Sequence, residues 1–407
     1  MVLIFDHPQQ QDIIDIPVQS TSVLRKTSCD TVTSGGCVPN VTMSTSQRPM
    51  FNVFRKVKFD DSIEKIEWRT YYPYTRSFRN NDVIEIVINQ STLFDATYDS
   101  QLLVSGKIIK TGDGDVSFVN NAAAFMFSSV KYVLGGGSKE MELVQDTGIH
   151  FFNIFNDYRT VICGMQTFTF TRANNDANCF LVKEKTPTGN TTVKMDIENV
   201  ELKIKRIYPE SGIKEILLEG VAANNSIIIP YRQWDVQVKS LPAGAISDAW
   251  AVKTTSHIES PRYVIVCFQV EKLDNLNKDP TYFDHINITN IKLSLNAEGF
   301  PTERMRLNFG NNDYNEAHFR YTEFQSSYLN CSEKRPLLDY NVFKERTLFV
   351  IDCSRRDKDE RPSTVDVRLE IEAAQGFPEN TKAYCIIIHD CIMEYLPLDN
   401  IVNNLKA

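Results

Sequence analysis

From Phe51 onward the chain alternates apolar and polar residues in short runs. Val200-Glu201-Leu202-Lys203-Ile204-Lys205 puts apolar side chains on one face and charges on the other, the period-two signature of a half-buried strand. Ile84 to Ile88 and Gln166 to Thr171 alternate in the same way. Further runs at Val130–Leu134, Ile216–Leu218, Trp234–Val238, Tyr263–Val270, Ile286–Leu295, Thr347–Ile351, Val365–Ile371 and Tyr384–Ile388 also predict strands. Turn clusters such as Gly112-Asp113-Gly114-Asp115, Thr188-Gly189-Asn190 and Pro242-Ala243-Gly244 punctuate them. Many short strands with this punctuation predict an all-β sandwich. Two stretches change period. Gly148–Thr160 and Asp313–Tyr328 carry apolar residues at helical spacing, and each predicts a short helix.

The order of elements repeats. Val130–Leu134 ends at Gly135-Gly136-Gly137, and Ile291–Leu295 ends at Asn296-Ala297-Glu298-Gly299. Both strands are followed by an aromatic-rich helical stretch. Two similar β-domains in tandem account for this, each with enough strands for an eight-stranded jelly roll. Residues 51–212 form the first expected barrel and 213–407 the second with its C-terminal tail. Residues 1–50 form an arm, because Ser20–Gln47 is too poor in large apolar residues to offset its ordering entropy alone.

The Gly135–Gly137 loop, followed by Ser138 and Lys139, raises the question of a phosphate cradle. A Walker loop needs Ser or Thr after the Lys and a helix beyond it, whereas Glu140-Met141-Glu142-Leu143-Val144 continues as a strand. The dinucleotide fingerprint fails as well. A sharp corner between two strands is the reading favoured by these residues, since glycine reaches positive φ without steric cost.

Composition narrows the class further. A formal net charge of −8 argues against a surface that wraps nucleic acid. The run Arg355–Arg361 alternates in sign and reads as a solvated loop. Nine cysteines with no CxxC, several inside apolar runs, fit a reducing compartment. Cys29 and Cys37 flank a Gly-Gly turn, where a disulfide or a metal is the alternative to two free thiols. The N-terminus has no basic region ahead of its apolar start, and no stretch has the length of a membrane span. The sequons at Asn40, Asn190 and Asn287 then read as unmodified.

Candidate chemistry is sparse. No two of the six histidines stand three or four residues apart, so no helical metal pair is formed. His389 and Cys391 share a strand face, a possible dyad or a structural pair. Asp235, Asp352 and Asp366, acids among apolar neighbours, read as solvated-face or subunit-contact residues. Trp68, Trp234 and Trp250 read as core or interface packing, with ligand stacking the alternative. No catalytic, cofactor-binding or metal-binding residue is assigned, and no cofactor is expected.

Three stretches carry a family likeness. Val116–Phe127 (VSFVNNAAAFMF), leading into Val130–Leu134 and its Gly turn, resembles double jelly-roll major capsid proteins of small eukaryotic DNA viruses and of virus-derived elements of the polinton and adintovirus kind. Leu348–Ser354 (LFVIDCS) and Asn380–Asp390 (NTKAYCIIIHD) are similar to the same group. The likeness spans most of residues 55 to 400 and rests on structural motifs without chemistry. At the turn where the family has Asn-Gly, this chain has three glycines.

The resemblance implies two barrels side by side, normal to a shell. It implies homotrimers that imitate a hexamer and pack beside neighbouring capsomers, with penton and minor capsid proteins as further partners. It also implies residence in the virion after assembly in host cytoplasm or nucleus, and no enzymatic activity. Direct sequence-specific nucleic-acid binding and a membrane span are not expected. The competing readings are a glycan- or receptor-binding double sandwich and a glycan-cleaving double jelly roll, the latter requiring converging carboxylates.

Overall fold

A computed structural model describes residues 62–405 except 90–93, 136–140, 147–153, 187–188, 253–260, 297, 329–335 and 355–364. The expected arm with Cys29 and Cys37, most of the triple-glycine loop, the first part of the first expected helix and the Arg355–Arg361 run lie outside the described residues.

The first half contains β1 (Ile63–Tyr71), β2 (Val83–Ile88), β3 (Phe94–Thr111), β4 (Asp115–Phe118), α1 (Ala122–Phe125), β5 (Phe127–Leu134) and β6 (Met141–Asp146). It continues with α2 (Ile154–Asp157), β7 (Gln166–Arg172), β8 (Phe180–Lys183) and β9 (Thr192–Pro209). Helix α3 (Ser211–Ala222) leads to the second half: β10 (Ile227–Ser240), β11 (Ser247–Val252), β12 (Pro261–Val270), β13 (Ile288–Leu295) and β14 (Glu298–Phe300). Then come α4 (Asn315–Tyr328), α5 (Tyr340–Glu345), β15 (Phe349–Asp352), β16 (Val367–Ala373), β17 (Thr381–Leu396) and β18 (Ile401–Leu405).

The second half places its strands in two sheets, β10-β17-β12-β15 and β11-β16-β13-β14. Counted from β10, these are the first, eighth, third and sixth strands against the second, seventh, fourth and fifth. That is the jelly-roll order, all pairs antiparallel. The first half repeats it. Sheet β1-β9-β3 is extended by a bridge from Asp95 to Ile162 in the sixth-strand position, opposite sheet β2-β7-β5-β6. A ribbon of β4 and β8 is added to it. Leu134 and Leu295 end the fourth strand of each barrel, and a helix follows the fifth strand in both, which is the repeat visible in the sequence.

Alternation explains most strands. Ile84, Ile86 and Ile88 of β2 are fully buried while Val83 is half exposed. In β9, Val200, Leu202 and Ile204 fill the core and their neighbours point outward. Strand β12 is apolar at nearly every position because both faces are covered. On the side carrying Tyr263, the ring of Phe324 from α4 packs edge-on, 5.0 Å between centroids. Each such buried side chain contributes roughly 1.5–3 kcal/mol.

The strand expected at Ile216–Leu218 is instead part of α3. Its apolar residues recur at 213, 217 and 221, a helical period, and the Glu210 carboxylate caps the helix by accepting from the Gly212 N–H at 2.9 Å. On either side of the glycine corner, β5 and β6 pair antiparallel with Leu134 opposite Met141.

Candidate functional site

The two cores are separate clusters, and one ribbon runs through both. Strands β10 and β17 pair along their length, from Ile227 opposite Tyr395 to Ser240 opposite Lys382. At one end Ile229, Tyr231, Met393 and Tyr395 insert into the first barrel's core, together with Val402 of β18. At the other end Ile387 and Cys385 belong to the second core. Residues two apart on a strand share a face. The face that carries Tyr231 and Ile387 therefore carries Gln233, Asp235, His389 and Cys391 between the two cores.

These four side chains are bonded to one another. His389 Nε2 lies 2.9 Å from Asp235 Oδ2, and Gln233 Nε2 donates to Asp235 Oδ1 at 3.2 Å. Cys391 Sγ lies 3.6 Å from Gln233 Oε1 and 3.6 Å from His389 Nδ1. His389 is only 5 % exposed. Burial opposes its charge, but the hydrogen bonds to Asp235 and Cys391 and the Asp235 carboxylate outweigh burial and raise its pKa to about 9. The imidazole is thus charged and paired at neutral pH. The order acid–imidazole–thiol is that of a nucleophilic triad, yet it is enclosed between two packed cores. Its effect is to join polar groups where two apolar clusters meet.

The neighbouring residue, Arg232, faces the other way and forms a clasp. The carboxylate of Asp157, on α2 of the first barrel, accepts from the Arg232 backbone N–H at 2.8 Å and from its Nε at 3.1 Å. Arg232 Nη1 donates to the Tyr328 carbonyl at 2.9 Å, and the guanidinium lies 3.7 Å from the centroid of that residue's ring. Trp234 Nε1 donates to the Tyr328 hydroxyl at 3.0 Å. One arginine therefore ties α2 of the first barrel, β10, and α4 of the second. Charge-assisted contacts of this kind, with side chains largely withdrawn from water, are stronger than exposed pairs.

Two further contacts close the seam. Asp274 accepts from Asn175 at 2.9 Å and Asn178 at 3.2 Å, and the Val182 N–H donates to the Leu276 carbonyl at 2.7 Å. At the C-terminal tail, backbone approaches backbone. A Cβ on Gly135 would stand 2.7 Å from the Asn400 carbonyl oxygen, and one on Gly164 would stand 1.9 Å from the Tyr395 hydroxyl. Both glycines have positive φ, 98° and 128°. Gly135 is the first residue of the triple-glycine corner, so that glycine serves the junction of the two barrels.

The residues singled out in the sequence divide as follows. His389, Cys391 and Asp235 meet at the seam; Asp235 is not on a solvated face, because its partner on β17 holds it between the cores. Asp352 and Asp366 are exposed as expected. Trp250 is buried in the second core, Trp234 packs at the seam, and Trp68 is 45 % exposed with Lys205 Nζ 5.0 Å from its ring. His285 stacks on Phe309 and His318 Nε2 meets the Leu338 carbonyl; His7, His150 and His257 lie outside the described residues. Among the described residues no three His, Cys, Asp or Glu side chains converge as a metal site would require, and no helix is long and apolar enough to cross a membrane. Asp157 and Arg232 carry no sequence signal: they are separated by 75 residues, and neither belongs to a motif.

Comparison with known proteins gives a consistent picture. Residues 149–393 match the family described as double jelly roll-like domain, more than half of the chain. No curated protein matches the chain. Among solved structures, a chain of the Sputnik virophage solved by cryo-electron microscopy has a TM-score of 0.58 at 10 % identity, covering 92 % of this chain and 94 % of that one. The Faustovirus major capsid protein has a TM-score of 0.50 at 10 % identity, covering 86 % and 93 %. The PBCV-1 virus capsid has a TM-score of 0.50 at 8 % identity, covering 87 % and 99 %. At such identities the likeness is one of fold.

Proposed function

Because the chain belongs to the double jelly roll-like domain family, we propose that it is a structural virion protein, the major capsid subunit of an icosahedral shell. The observation that carries this reading is the seam. A ribbon common to both cores, the His389–Asp235 pair and the Arg232 clasp hold two equivalent barrels as one block. A block with two like barrels lets three chains imitate a sixfold unit, so a homotrimer can tile positions of hexagonal symmetry.

The barrels divide at α3, with 51–212 forming the first and 213–407 the second, whose tail returns to the first core. Residues 1–50 act as an arm that engages neighbours. The natural partners are copies of the chain, then adjacent capsomers, penton and minor capsid proteins. Assembly takes place in host cytoplasm or nucleus, and the lineage is that of polinton- or adintovirus-like elements. The chain works without a catalytic centre, metal or cofactor.

Expression of the full chain followed by sedimentation velocity and negative-stain microscopy tests this. Trimers or larger shells are the expected result. A single-chain species across the whole accessible concentration range overturns the reading.

A further inference from the structure

The contact between the barrels is made by unlike parts of a repeated fold, and each part has a second copy in the chain. Strand β10 is the first strand of its barrel and lies at the edge of its sheet. Its outer side is capped by α2, which belongs to the segment between the fifth and sixth strands of the other barrel; the Asp157 carboxylate takes the edge N–H of Arg232. Strand β1 occupies the same place in the first barrel: first strand, edge of the sheet β1-β9-β3. No described strand pairs with its outer edge. Its outward positions Ile66 and Trp68 are 46 % and 45 % exposed, and Tyr72 and Tyr74 just beyond it are 60 % and 81 % exposed. An edge strand bearing large apolar side chains is a template for association unless it is covered.

The complementary part also exists twice. The counterpart of α2 in the second barrel is the longer segment 301–348, which holds α4 and α5. Helix α4 turns Ala317, Tyr321, Phe324 and Tyr328 toward its own barrel. Phe319, on the opposite side of that helix, is 63 % exposed, and Val342 of α5 is 40 % exposed.

We propose that β1, through its outward-facing Ile66 and Trp68 beside the free edge of the sheet, is the docking surface for a second copy of this chain, which presents helix α4 through Phe319. The contact repeats between chains what α2 and β10 make within one chain. It is heterologous, one face meeting a different face, and such a contact propagates to a ring when the rotation closes. This inference rests on the shell-subunit reading and supplies the surface by which the copies meet.

The test uses the full chain and two variants at exposed positions, Ile66→Lys combined with Trp68→Ser on one face, and Phe319→Asp on the other. Circular dichroism should match wild type, while the unfolding midpoint of each variant should equal that of the dissociated wild-type chain. Wild type should sediment at about three times the 46.6 kDa chain mass, and each variant alone as a single chain. Mixed in equal amounts, the two variants should form dimers that grow no further, because each retains one intact face and these two faces are complementary.

Amide exchange on the wild type provides a reading free of substitution: residues 63–74 should gain protection as concentration drives assembly. If wild type assembles while the β1 variant assembles equally well, if the mixture yields no dimer, or if β1 stays unprotected on assembly, this surface is wrong and the shell reading stands. If wild type itself never associates, both fall.

Discussion

The two barrels share a strand order but are closed by different chemistry. Among the described residues, the first barrel buries four charged side chains, Asp95, Arg172, Asp176 and Arg206, and the second buries one, His389, where it meets the first. In the first, Arg172 Nη2 donates to Asp176 Oδ1 at 2.8 Å, its Nη1 donates to the Met126 carbonyl, and Asp176 Oδ2 accepts from the Met195 N–H at 2.9 Å. Toward the other end of β9, Arg206 Nε donates to Asp95 at 3.2 Å; burial pushes the Asp95 carboxyl up despite that partner. The second barrel instead contains a stack of rings: His285, Phe309, Tyr314 and Tyr340 follow one another with centroids 4.5, 5.2 and 4.2 Å apart.

The segment after the fifth strand differs between the barrels as well. In the second barrel that segment brings α4, α5 and their aromatics over the sheet. In the first it is shorter, and the buried pairs lie elsewhere: Arg206–Asp95 joins β9 to β3, and Arg172–Asp176 joins the end of β7 to the turn that follows it. The same topology therefore responds differently to injury: loss of one charge in the first barrel leaves its partner buried alone, while loss of a methyl group in the second leaves a small void.

The largest effect is expected from Arg172→Met, which strands Asp176 in the first barrel. It should cost about 3–5 kcal/mol in denaturant unfolding, and adding Asp176→Leu should recover part of that loss. Next is His389→Gln at the seam. With a folded pKa near 9 against about 6.5 when unfolded, His389 contributes stability that is complete below about pH 6.5 and lost as pH rises through 9, roughly 3 kcal/mol in all. Unfolding free energies of the wild type should fall across that window, and those of the variant should be flatter.

Ile291→Val, deep in the second core, should cost about 1 kcal/mol by the same measurement. Arg304→Ala removes an exposed pair with Glu372 and should change stability by less than about 1 kcal/mol, an effect that salt screens away. If Arg172→Met proves as mild as Arg304→Ala, the contrast drawn between the barrels is wrong.

Much of this architecture was legible in the residues, because a strand with one wet face must alternate. Val200–Lys205 and Gln166–Thr171 declare themselves in this way. Leu134 and Leu295, each followed by a turn and a helix, reveal the duplication. Helix α3 was hidden because Ile216-Leu217-Leu218 is a continuous apolar run, which periodicity alone does not assign. The seam was only half visible. Alternation places His389 and Cys391 on one face, but the pairing of Asp235 with His389 depends on strand register. The Arg232–Asp157 clasp depends on how two barrels dock, which local pattern does not encode. Arg172 and Asp176 stand four apart outside any helix, so their spacing gave no hint of the pair.

The central claim is that this chain is a rigid pair of like barrels made to stand beside copies of itself. Negative-stain class averages of the purified full chain test it most directly. The account predicts rings of six lobes that repeat threefold, alternating first and second barrels. A population made up only of isolated two-lobed particles, unchanged as concentration rises, would contradict it.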